Sequence, residues 1–368
     1  MVGDKKKTIV LSGINLFEAG PLSIFYDCLD ALVGAGVCNN HHVVAFVHRA
    51  ELFSKYIGLI KIIELPKSRN NYIYRLYYEF IQFNRYSKKN NVDIWISLHD
   101  ITPRVKAKKL YTYCHNPTPF MPKDLSKIKY SIKIVLFSLF YRYLYRININ
   151  KTDAVIVQQD WIREEFRHIY PVNEVIVARP TVKIKSLSGQ CVNESDGKTH
   201  FLYAAYPRFF KNFEIICQAC KYLDNDQYDV WLTIDGSENR YSSDIRKRYS
   251  SIKQIKWLGI QKREDLFQLY NEATCLIFPS TLETWGLPIS EFKTTGKDII
   301  LIDLPYAHEA LGTYEKVQYF KNRDAKGLAE CMKAVIDGKP EYQPQKDRIP
   351  SDPFASHWNA LICMIIGD

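Results

Sequence analysis

The sequence lacks any apolar run long enough to cross a membrane as a helix; the longest candidates are Ile134 to Tyr141 and Ala360 to Ile366. The opening Met-Val-Gly-Asp-Lys-Lys-Lys has no apolar core, so we expect no signal peptide. The nine cysteines are odd in number and have no paired spacing. This argues against a disulfide framework and favours a reduced, cytoplasmic protein.

Several motifs are also missing. The first strand, loop and helix contain no G-x-G-x-x-G, so a dinucleotide site is unsupported. No Asp-x-Asp pair follows a strand, and we therefore expect no metal. The absence of an aromatic RNA-binding string and of zinc-finger spacing argues against a nucleic-acid partner. Cys217 and Cys220 match C-x-x-C, but they lie in a helical pattern and are interpreted as core-facing thiols.

The composition is that of a folded protein with an uneven charge distribution. The chain has 368 residues, 46% of them hydrophobic, including 25 Tyr and 19 Phe. This is enough for two domains with separate cores. Residues 1–150 carry a net charge of +12 and residues 151–368 a net charge of −2. The first half is therefore expected to meet an anionic partner, either a lipid surface, a phosphorylated acceptor or nucleic acid.

Short apolar strands alternate with helical patterns along the chain, which predicts an α/β fold with parallel sheets covered on both faces. We predict a first domain over 1–182, a polar linker over 183–200, a second domain over 201–350 and a final segment over 351–368. Predicted helices include Leu22–Val33, Tyr72–Tyr86, Met121–Arg146 and Phe354–Ile366. In the second of these, Tyr and Phe are expected on the inner side and Arg75 and Arg85 outside.

The most informative stretch follows the apolar strand Cys275–Phe278. Glu283 is expected on a loop, Pro288 at the first position of a helix and Glu291 in its first turn. The free N–H groups of a helix start favour an anion. Two carboxylates beside such a start suit a nucleotide sugar, although a capped surface helix with glutamates favoured by the helix dipole is the alternative.

In that interpretation the two glutamates have different roles. The pyrophosphate meets the amides near Gly286 and Leu287, Glu291 accepts hydrogen bonds from a ribose diol, and Glu283 contacts sugar hydroxyls.

The string Pro-Ser-x-x-Glu-x-Trp-Gly-Leu-Pro-x-x-Glu over 279–291 resembles the E-x7-E signature of retaining glycosyltransferases of family 4, of the bacterial surface-polysaccharide type. The resemblance implies the GT-B fold, with two Rossmann-like domains facing each other across a cleft and a C-terminal helix crossing back to the first domain. It also places the nucleotide sugar on the second domain and the acceptor on the first.

The resemblance extends to other positions. Arg208 and Lys211 precede a helix, like the family's basic phosphate site, but many members place the arginine five residues before the lysine rather than three. Gly259 and Ile260 resemble the loop that reads the donor base. Gly20, in the loop 14–21 after the first strand, is the candidate for close approach to the donor phosphates.

His115 follows a strand that ends near Tyr113, so it is expected at the carboxyl edge of the sheet, where ligands bind in open α/β folds. The family has a histidine at this point, which implies a hydrogen bond to the transferred sugar or to the acceptor. A structural histidine that is satisfied by a backbone carbonyl is the alternative.

The implied reaction moves a sugar from a nucleotide-diphosphate sugar to a glycan acceptor, with Glu283, His115 and Lys211 as catalytic residues. No metal or other cofactor is expected, and a UDP-sugar is favoured as donor. The basic first domain suggests a polyprenyl-diphosphate-linked acceptor, as in O-antigen or capsule synthesis. A catalytically inactive GT-B scaffold in a polysaccharide assembly complex is the alternative function.

The helix predicted over 121–146 carries apolar residues at helical spacing, interleaved with basic ones. The apolar set is Ile128, Ile132, Val135, Leu139 and Tyr143. The helix could lie in a membrane interface or pack on its own domain, and both interpretations stay open. We expect a cytoplasmic protein, with peripheral contact to the inner face of the cytoplasmic membrane as the open alternative.

Overall fold

The computed structural model describes residues 6–17, 19–121, 129–130, 132–181 and 197–367. The chain divides into two compact units. The first comprises residues 1–122, 136–181 and 350–368, and the second comprises residues 123–135 and 182–349. Most of the predicted linker, residues 183–196, lies outside the described residues, whereas Thr199 and His200 already belong to a strand.

The first unit alternates strands and helices. Its strands are β1 (Thr8–Ser12), β2 (His42–Val47), β3 (Lys61–Glu64), β4 (Val92–Ser97), β5 (Ala107–Tyr113), β6 (Ala154–Val157) and β7 (Val175–Ala178). Its helices are α1 (Ala19–Gly34), α2 (Val37–Asn40), α3 (Tyr72–Tyr77), α4 (Phe83–Asn90), α5 (Ile132–Arg146) and α6 (Asp160–Ile169). A π-helical turn, Tyr78–Gln82, joins α3 to α4.

The second unit has the same alternation. Its strands are β8 (Thr199–Tyr203), β9 (Tyr228–Leu232), β10 (Ile255–Trp257), β11 (Cys275–Phe278), β12 (Asp298–Ile302) and β13 (Val317–Phe320). Its helices are α7 (Phe213–Cys220), α8 (Arg240–Tyr249), α9 (Arg263–Glu272), α10 (Leu287–Phe292), α11 (Pro305–Leu311) and α12 (Ala325–Ile336). The short strand β14 (Phe354–Ala355) and helix α13 (Trp358–Ile366) then complete the first unit.

Each unit is built on one parallel sheet. The strand order is β14-β7-β6-β5-β4-β1-β2-β3 in the first unit and β10-β9-β8-β11-β12-β13 in the second. In both sheets the order reverses beside the first strand, between β1 and β4 and between β8 and β11. Loops leave in opposite directions at such a point and open a crevice at the carboxyl ends of the strands.

Apolar side chains cover both faces of the first sheet, as the near-continuous apolar strands predict. On one face, α1 and α13 pack on Ile9, Leu11 and Ile94. On the other face, Phe46 stacks on Trp95 with ring centroids 5.8 Å apart, and Phe83 of α4 packs against both. The predicted α/β class is confirmed.

The predicted final helix is wrong at its start, because Phe354 and Ala355 form β14 and the helix begins at Trp358. β14 pairs in parallel with β7 of the first unit. Trp358 stacks on Tyr113 with ring centroids 5.1 Å apart, and Leu361 is buried in the same core. The C-terminal segment is therefore part of the first unit's core, although it follows the second unit in the sequence.

Two other helices differ from prediction. α1 begins at Ala19, so Gly20 lies in its first turn and not in a loop. Pro21 is tolerated there because the first-turn N–H groups have no partner within the helix. In α5, Val135 is buried but Ile132 and Tyr143 are exposed, so the predicted apolar face does not pack as one surface. Residues 122–128, including Ile128, lie outside the described residues.

Arg75 was expected on the outer side of its helix, and this is wrong. Its side chain is buried and donates from Nη2 to the His99 carbonyl, 2.9 Å away, and to the Tyr141 hydroxyl, 3.3 Å away. Arg85 is exposed, as predicted. Over the described residues, no helix combines the length and the apolar character needed to span a membrane.

Replacing Trp358 by Ala is expected to destabilise the first unit by about 3–5 kcal/mol, because it leaves a cavity beside Tyr113. Urea unfolding followed by circular dichroism measures the change. Met364→Ala is the matched control on the same helix: Met364 is exposed, and its loss should cost no more than about 0.5 kcal/mol. Equal effects of the two substitutions would show that α13 does not belong to this core.

Candidate active site

Lys211 and Glu283 meet at the switch point of the second sheet. Lys211 lies on the loop that leaves β8 and Glu283 on the loop that leaves β11, the two strands between which the strand order reverses. The Lys211 ammonium and the Glu283 carboxylate form an ion pair. Their side chains are 17% and 12% exposed, so the pair is largely shielded but reachable from the crevice.

Backbone hydrogen bonds hold the two loops together. The Thr281 N–H donates to the Phe210 carbonyl at 2.7 Å. The Tyr203 hydroxyl, at the end of β8, donates to the Lys211 carbonyl at 2.7 Å. These bonds fix the backbone on both sides of the ion pair, so its geometry does not depend on the pair alone.

Glu291 was expected in the first turn of a helix, but α10 begins at Leu287, which puts Glu291 in the second turn. Its carboxylate is buried, and each of its two oxygens accepts one hydrogen bond. Arg263 donates from Nη2 to Oε1 at 2.7 Å, and the Tyr270 hydroxyl donates to Oε2 at 3.2 Å. Burial, and then the Glu291 carboxylate, raises the pKa of Tyr270 well above its ordinary value. The hydroxyl therefore stays protonated and donates to Glu291.

Gly286 has a special backbone conformation at the start of α10. Its φ of +92° is one that side chains rarely allow, and a Cβ there would lie 3.2 Å from Cδ1 of Ile289. Leu287 and Pro288 then begin the helix. Pro288 was predicted at the first position of the helix but is its second residue; it still lies in the first turn, where it needs no backbone donor.

Gly259 lies two residues beyond the end of β10 at Trp257. With a φ of +70°, it brings its backbone so close to Asp235 that an added Cβ would be 3.0 Å from Oδ2. Ile260, the next residue, is exposed. Gly259 itself is buried, and its carbonyl accepts a hydrogen bond from Gln261 Nε2 at 3.2 Å, so the exposed surface at this edge of the second sheet belongs to Ile260.

Arg208 does not join the ion pair. Its side chain is exposed, and its guanidinium carbon lies 5.9 Å from the centre of the Phe210 ring. Gly20, in the first unit, is exposed and has no atom within 4 Å of where a Cβ would be. The structure thus gives Gly20 no steric requirement for glycine.

His115, in the first unit, follows β5 as predicted and is held by Asp100. The His115 N–H donates to Asp100 Oδ1 at 2.8 Å, and its ring Nδ1 lies 3.6 Å from the same oxygen. Burial lowers the pKa of His115, while the Asp100 carboxylate partly opposes this. Asp100 itself has a φ of +73°, a backbone conformation uncommon outside glycine and found often at functional sites.

Several residues around these positions were not predicted. They are Arg263 and Tyr270 beside Glu291, and Asp100 and His99 beside His115. His99-Asp100 directly follows β4 at the switch point of the first sheet. The rule that singled out His115 would therefore have found this pair. Arg263 and Tyr270 come from the preceding helix α9, and no local pattern connects them to Glu291.

Comparison with known protein families gives a match over part of the chain. Residues 191–349 match the model of the family described as glycosyl transferases group 1. This part of the chain is therefore similar to a group 1 glycosyltransferase domain. Comparison with curated protein sequences gives no match.

Solved structures extend the similarity over both units. A glycosyltransferase from Rickettsia africae ESF-5 is 15% identical, with 90% of this chain and 88% of that chain covered and a TM-score of 0.63. WaaG, a glycosyltransferase involved in lipopolysaccharide biosynthesis, is 14% identical, with 89% and 90% covered and a TM-score of 0.65. Anabaena Alr3699/HepE in complex with UDP and glucose is 12% identical, with 90% of each chain covered and a TM-score of 0.56. The chain therefore has the GT-B fold of these proteins.

We expect the His115 imidazole to titrate below about 6.5, the ordinary histidine value, because its burial disfavours the charged form. NMR titration of labelled histidine measures this pKa, with His115→Gln to assign the signal. Asp100→Asn removes the opposing charge and should lower the pKa further. A pKa of His115 above 6.5 would mean that the Asp100 charge outweighs burial.

Proposed function

We propose that the protein is a retaining glycosyltransferase that moves a sugar from a nucleotide-diphosphate sugar to a glycan acceptor. The observation that carries this proposal is the shielded Lys211–Glu283 ion pair at the switch point of the group 1 glycosyltransferase domain. It offers a cation for a diphosphate and a carboxylate for sugar hydroxyls at one place.

The donor site proposed here uses the second unit. Lys211, with the amides of Gly286 and Leu287, stabilises the negative charge that develops on the departing diphosphate. The exposed Arg208 can turn toward the same phosphates. Glu291 is fixed by two donors and accepts hydrogen bonds from the ribose diol on its remaining lone pairs.

The backbone at Gly259 and Ile260 contacts the base. The UDP bound to Alr3699/HepE favours a UDP-sugar as the donor to test first.

In the proposed reaction, the bond between the anomeric carbon and the diphosphate oxygen breaks as the acceptor hydroxyl attacks from the same face. The hydroxyl proton passes to the departing phosphate oxygen. Glu283 holds the transferred sugar, and neutral His115 hydrogen-bonds to the sugar or the acceptor. In this scheme no carboxylate serves as the attacking nucleophile.

We further propose that the acceptor is a polyprenyl-diphosphate-linked glycan of a surface polysaccharide such as O-antigen or capsule, and that the enzyme works in the cytoplasm at the membrane. The net charge of +12 on residues 1–150 supports an anionic acceptor or surface. WaaG, which acts in lipopolysaccharide biosynthesis according to its description, has the same fold.

Lys211→Ala is expected to lower kcat by about 100-fold or more, because the departing diphosphate loses its main cation. The assay measures release of nucleoside diphosphate from a panel of UDP-, GDP-, dTDP- and ADP-sugars, with and without glycan acceptors. Lys326→Ala is the control, since Lys326 is an exposed lysine on α12 of the same unit.

Thermal melting must show that Lys211→Ala remains folded, because Glu283 loses its partner. Lys211→Gln keeps a hydrogen-bond donor there and serves as the second variant. Wild-type turnover by both variants would contradict the proposed role of Lys211. If the wild type reacts with none of these donors, the enzyme proposal is contradicted and the inactive scaffold is supported.

Turnover is expected to be independent of divalent metal, since Lys211 and backbone donors take the charge of the diphosphate. The measured rate should stay within about twofold when the protein is treated with EDTA. Recovery of a lost rate on addition of Mg²⁺ or Mn²⁺ would show that a metal performs part of this task.

A further inference from the structure

The segment from Tyr72 to Asn90 is an inverted amphipathic helix. It comprises α3, the π-helical turn and α4, about 28 Å in all at 1.5 Å per residue. Its charged residues Arg75 and Glu79 are buried, 7% and 0% exposed. Several of its large apolar side chains are exposed instead, with Ile73 75% exposed, whereas Tyr78 and Phe83 are buried.

Four of these side chains lie on one side of the helix: two are adjacent, one lies three residues before the pair and one lies four residues after it. They are Ile73, Leu76, Tyr77 and Ile81. We call this set the apolar face. Exposed apolar side chains that are grouped together mark an interaction surface, whereas single scattered ones do not. The opposite side of the segment is fixed by specific hydrogen bonds.

Arg75 makes two of these hydrogen bonds: it donates to the His99 carbonyl and to the Tyr141 hydroxyl. Glu79 lies 2.9 Å from His99 Nδ1 through its Oε1. The apolar face cannot turn inward without pulling Arg75 and Glu79 out of these contacts. Its exposure is therefore built into the fold.

The charges around the apolar face have one sign. Residues 66–90 contain six Lys or Arg and one acidic residue, the buried Glu79. The exposed charges are Lys67, Arg69, Arg85, Lys88 and Lys89. Every exposed ionic side chain of this segment is therefore a cation.

Helix α5 is joined to this segment by the Arg75–Tyr141 hydrogen bond and has the same character. It also presents apolar side chains to solvent, namely Leu136, Phe140 and Tyr143. Residues 136–151 carry three basic residues and no acidic residue. The cationic and apolar character thus extends over two neighbouring helices of the first unit.

We propose that the apolar face and its flanking cations dock this protein on an anionic lipid membrane. Apolar and tyrosine side chains enter the interface, while Lys and Arg meet the lipid phosphates. A second copy of the chain fits less well, because a symmetric contact would bring like charges together. The proposal rests on the proposed function in one respect: docking would bring the enzyme to the membrane that holds its lipid-linked acceptor.

Flotation of the full-length protein with phosphatidylcholine vesicles, with and without 30% phosphatidylglycerol, tests the proposal. We expect binding to the anionic vesicles, a partition coefficient at least tenfold lower on neutral ones, and a similar loss at high salt. Ile73→Ser with Tyr77→Ser should lower the partition coefficient at least tenfold. The control is Tyr222→Ser with Ile349→Ser, two apolar residues of the second unit that are at least as exposed as Tyr77 and Ile73.

The cations are tested by Lys88→Gln with Lys89→Gln, which should lower binding at low salt by about fivefold for each charge removed. Lys321→Gln with Lys326→Gln, in the second unit, is the matched charge control. Absence of vesicle binding, or equal binding by the Ile73/Tyr77 variant and the wild type, overturns the proposal. The proposal is also overturned if the wild type is a dimer and the Ile73/Tyr77 substitutions dissociate it, since a second copy of the chain would then occupy the apolar face.

Donor hydrolysis, or transfer to a water-soluble glycan without vesicles, separates this proposal from the proposed function. The Ile73/Tyr77 variant should keep the wild-type rate in that assay and lose rate only on a lipid-linked acceptor in vesicles. Vesicle binding without turnover on any donor would leave the docking surface standing and refute the enzyme. Turnover without vesicle binding would refute the docking surface and leave the enzyme proposal standing.

Discussion

Every pairing between the described strands is parallel, and this constraint places the residues of the candidate site. A parallel sheet puts the carboxyl ends of all its strands at one edge, and a reversal of strand order opens a crevice there. In the second unit the reversal between β8 and β11 brings together Lys211 and Glu283, which are 72 residues apart in sequence. In the first unit the reversal between β1 and β4 lies beside the loop with His99 and Asp100.

In the ion pair at the switch point of the second sheet, each charge offsets the desolvation cost of the other. A lysine and a glutamate that are both more than four-fifths shielded would each be costly to desolvate alone. Paired, they compensate each other, and they can still exchange partners when an anion and hydroxyls arrive. Glu291 contrasts with this pair. It is held by Arg263 and by the neutral Tyr270 hydroxyl, so its position is fixed before any ligand binds.

Much of the strand framework could be predicted from the sequence, because buried parallel strands are short apolar runs such as Ala154–Val157 and Cys275–Phe278. The order of strands within each sheet follows the ordinary rules of α/β folds. Contacts between residues distant in sequence could not be predicted. No local pattern shows that Tyr270 meets Glu291, or that Phe354 begins a strand rather than a helix, because both depend on tertiary pairing.

The candidate site was predicted in parts. Lys211 and Glu283 lie together because both follow strands that flank the reversal, which the sequence could suggest. Position 259 requires glycine, because its backbone is left-handed and a side chain there would meet Asp235. Position 20 has no such requirement. Glycines whose backbone conformation disfavours a side chain and ordinary helix-start glycines look alike in a sequence, and only the structure distinguishes them.

Arg75 shows where reasoning from hydrophobic periodicity fails for a physical reason. The pattern over Tyr72–Tyr86 predicts an amphipathic helix with charges outward. That rule assumes water on the outer side and apolar side chains on the inner side. Here the inner side is a polar network of Glu79, His99 and Tyr141 beneath the carboxyl edge of the sheet, which compensates the buried Arg75 charge. Ile73, Tyr77 and Ile81 then lie on the outer side, where their burial requires a surface outside the protein, whereas Tyr78 and Phe83 pack inward.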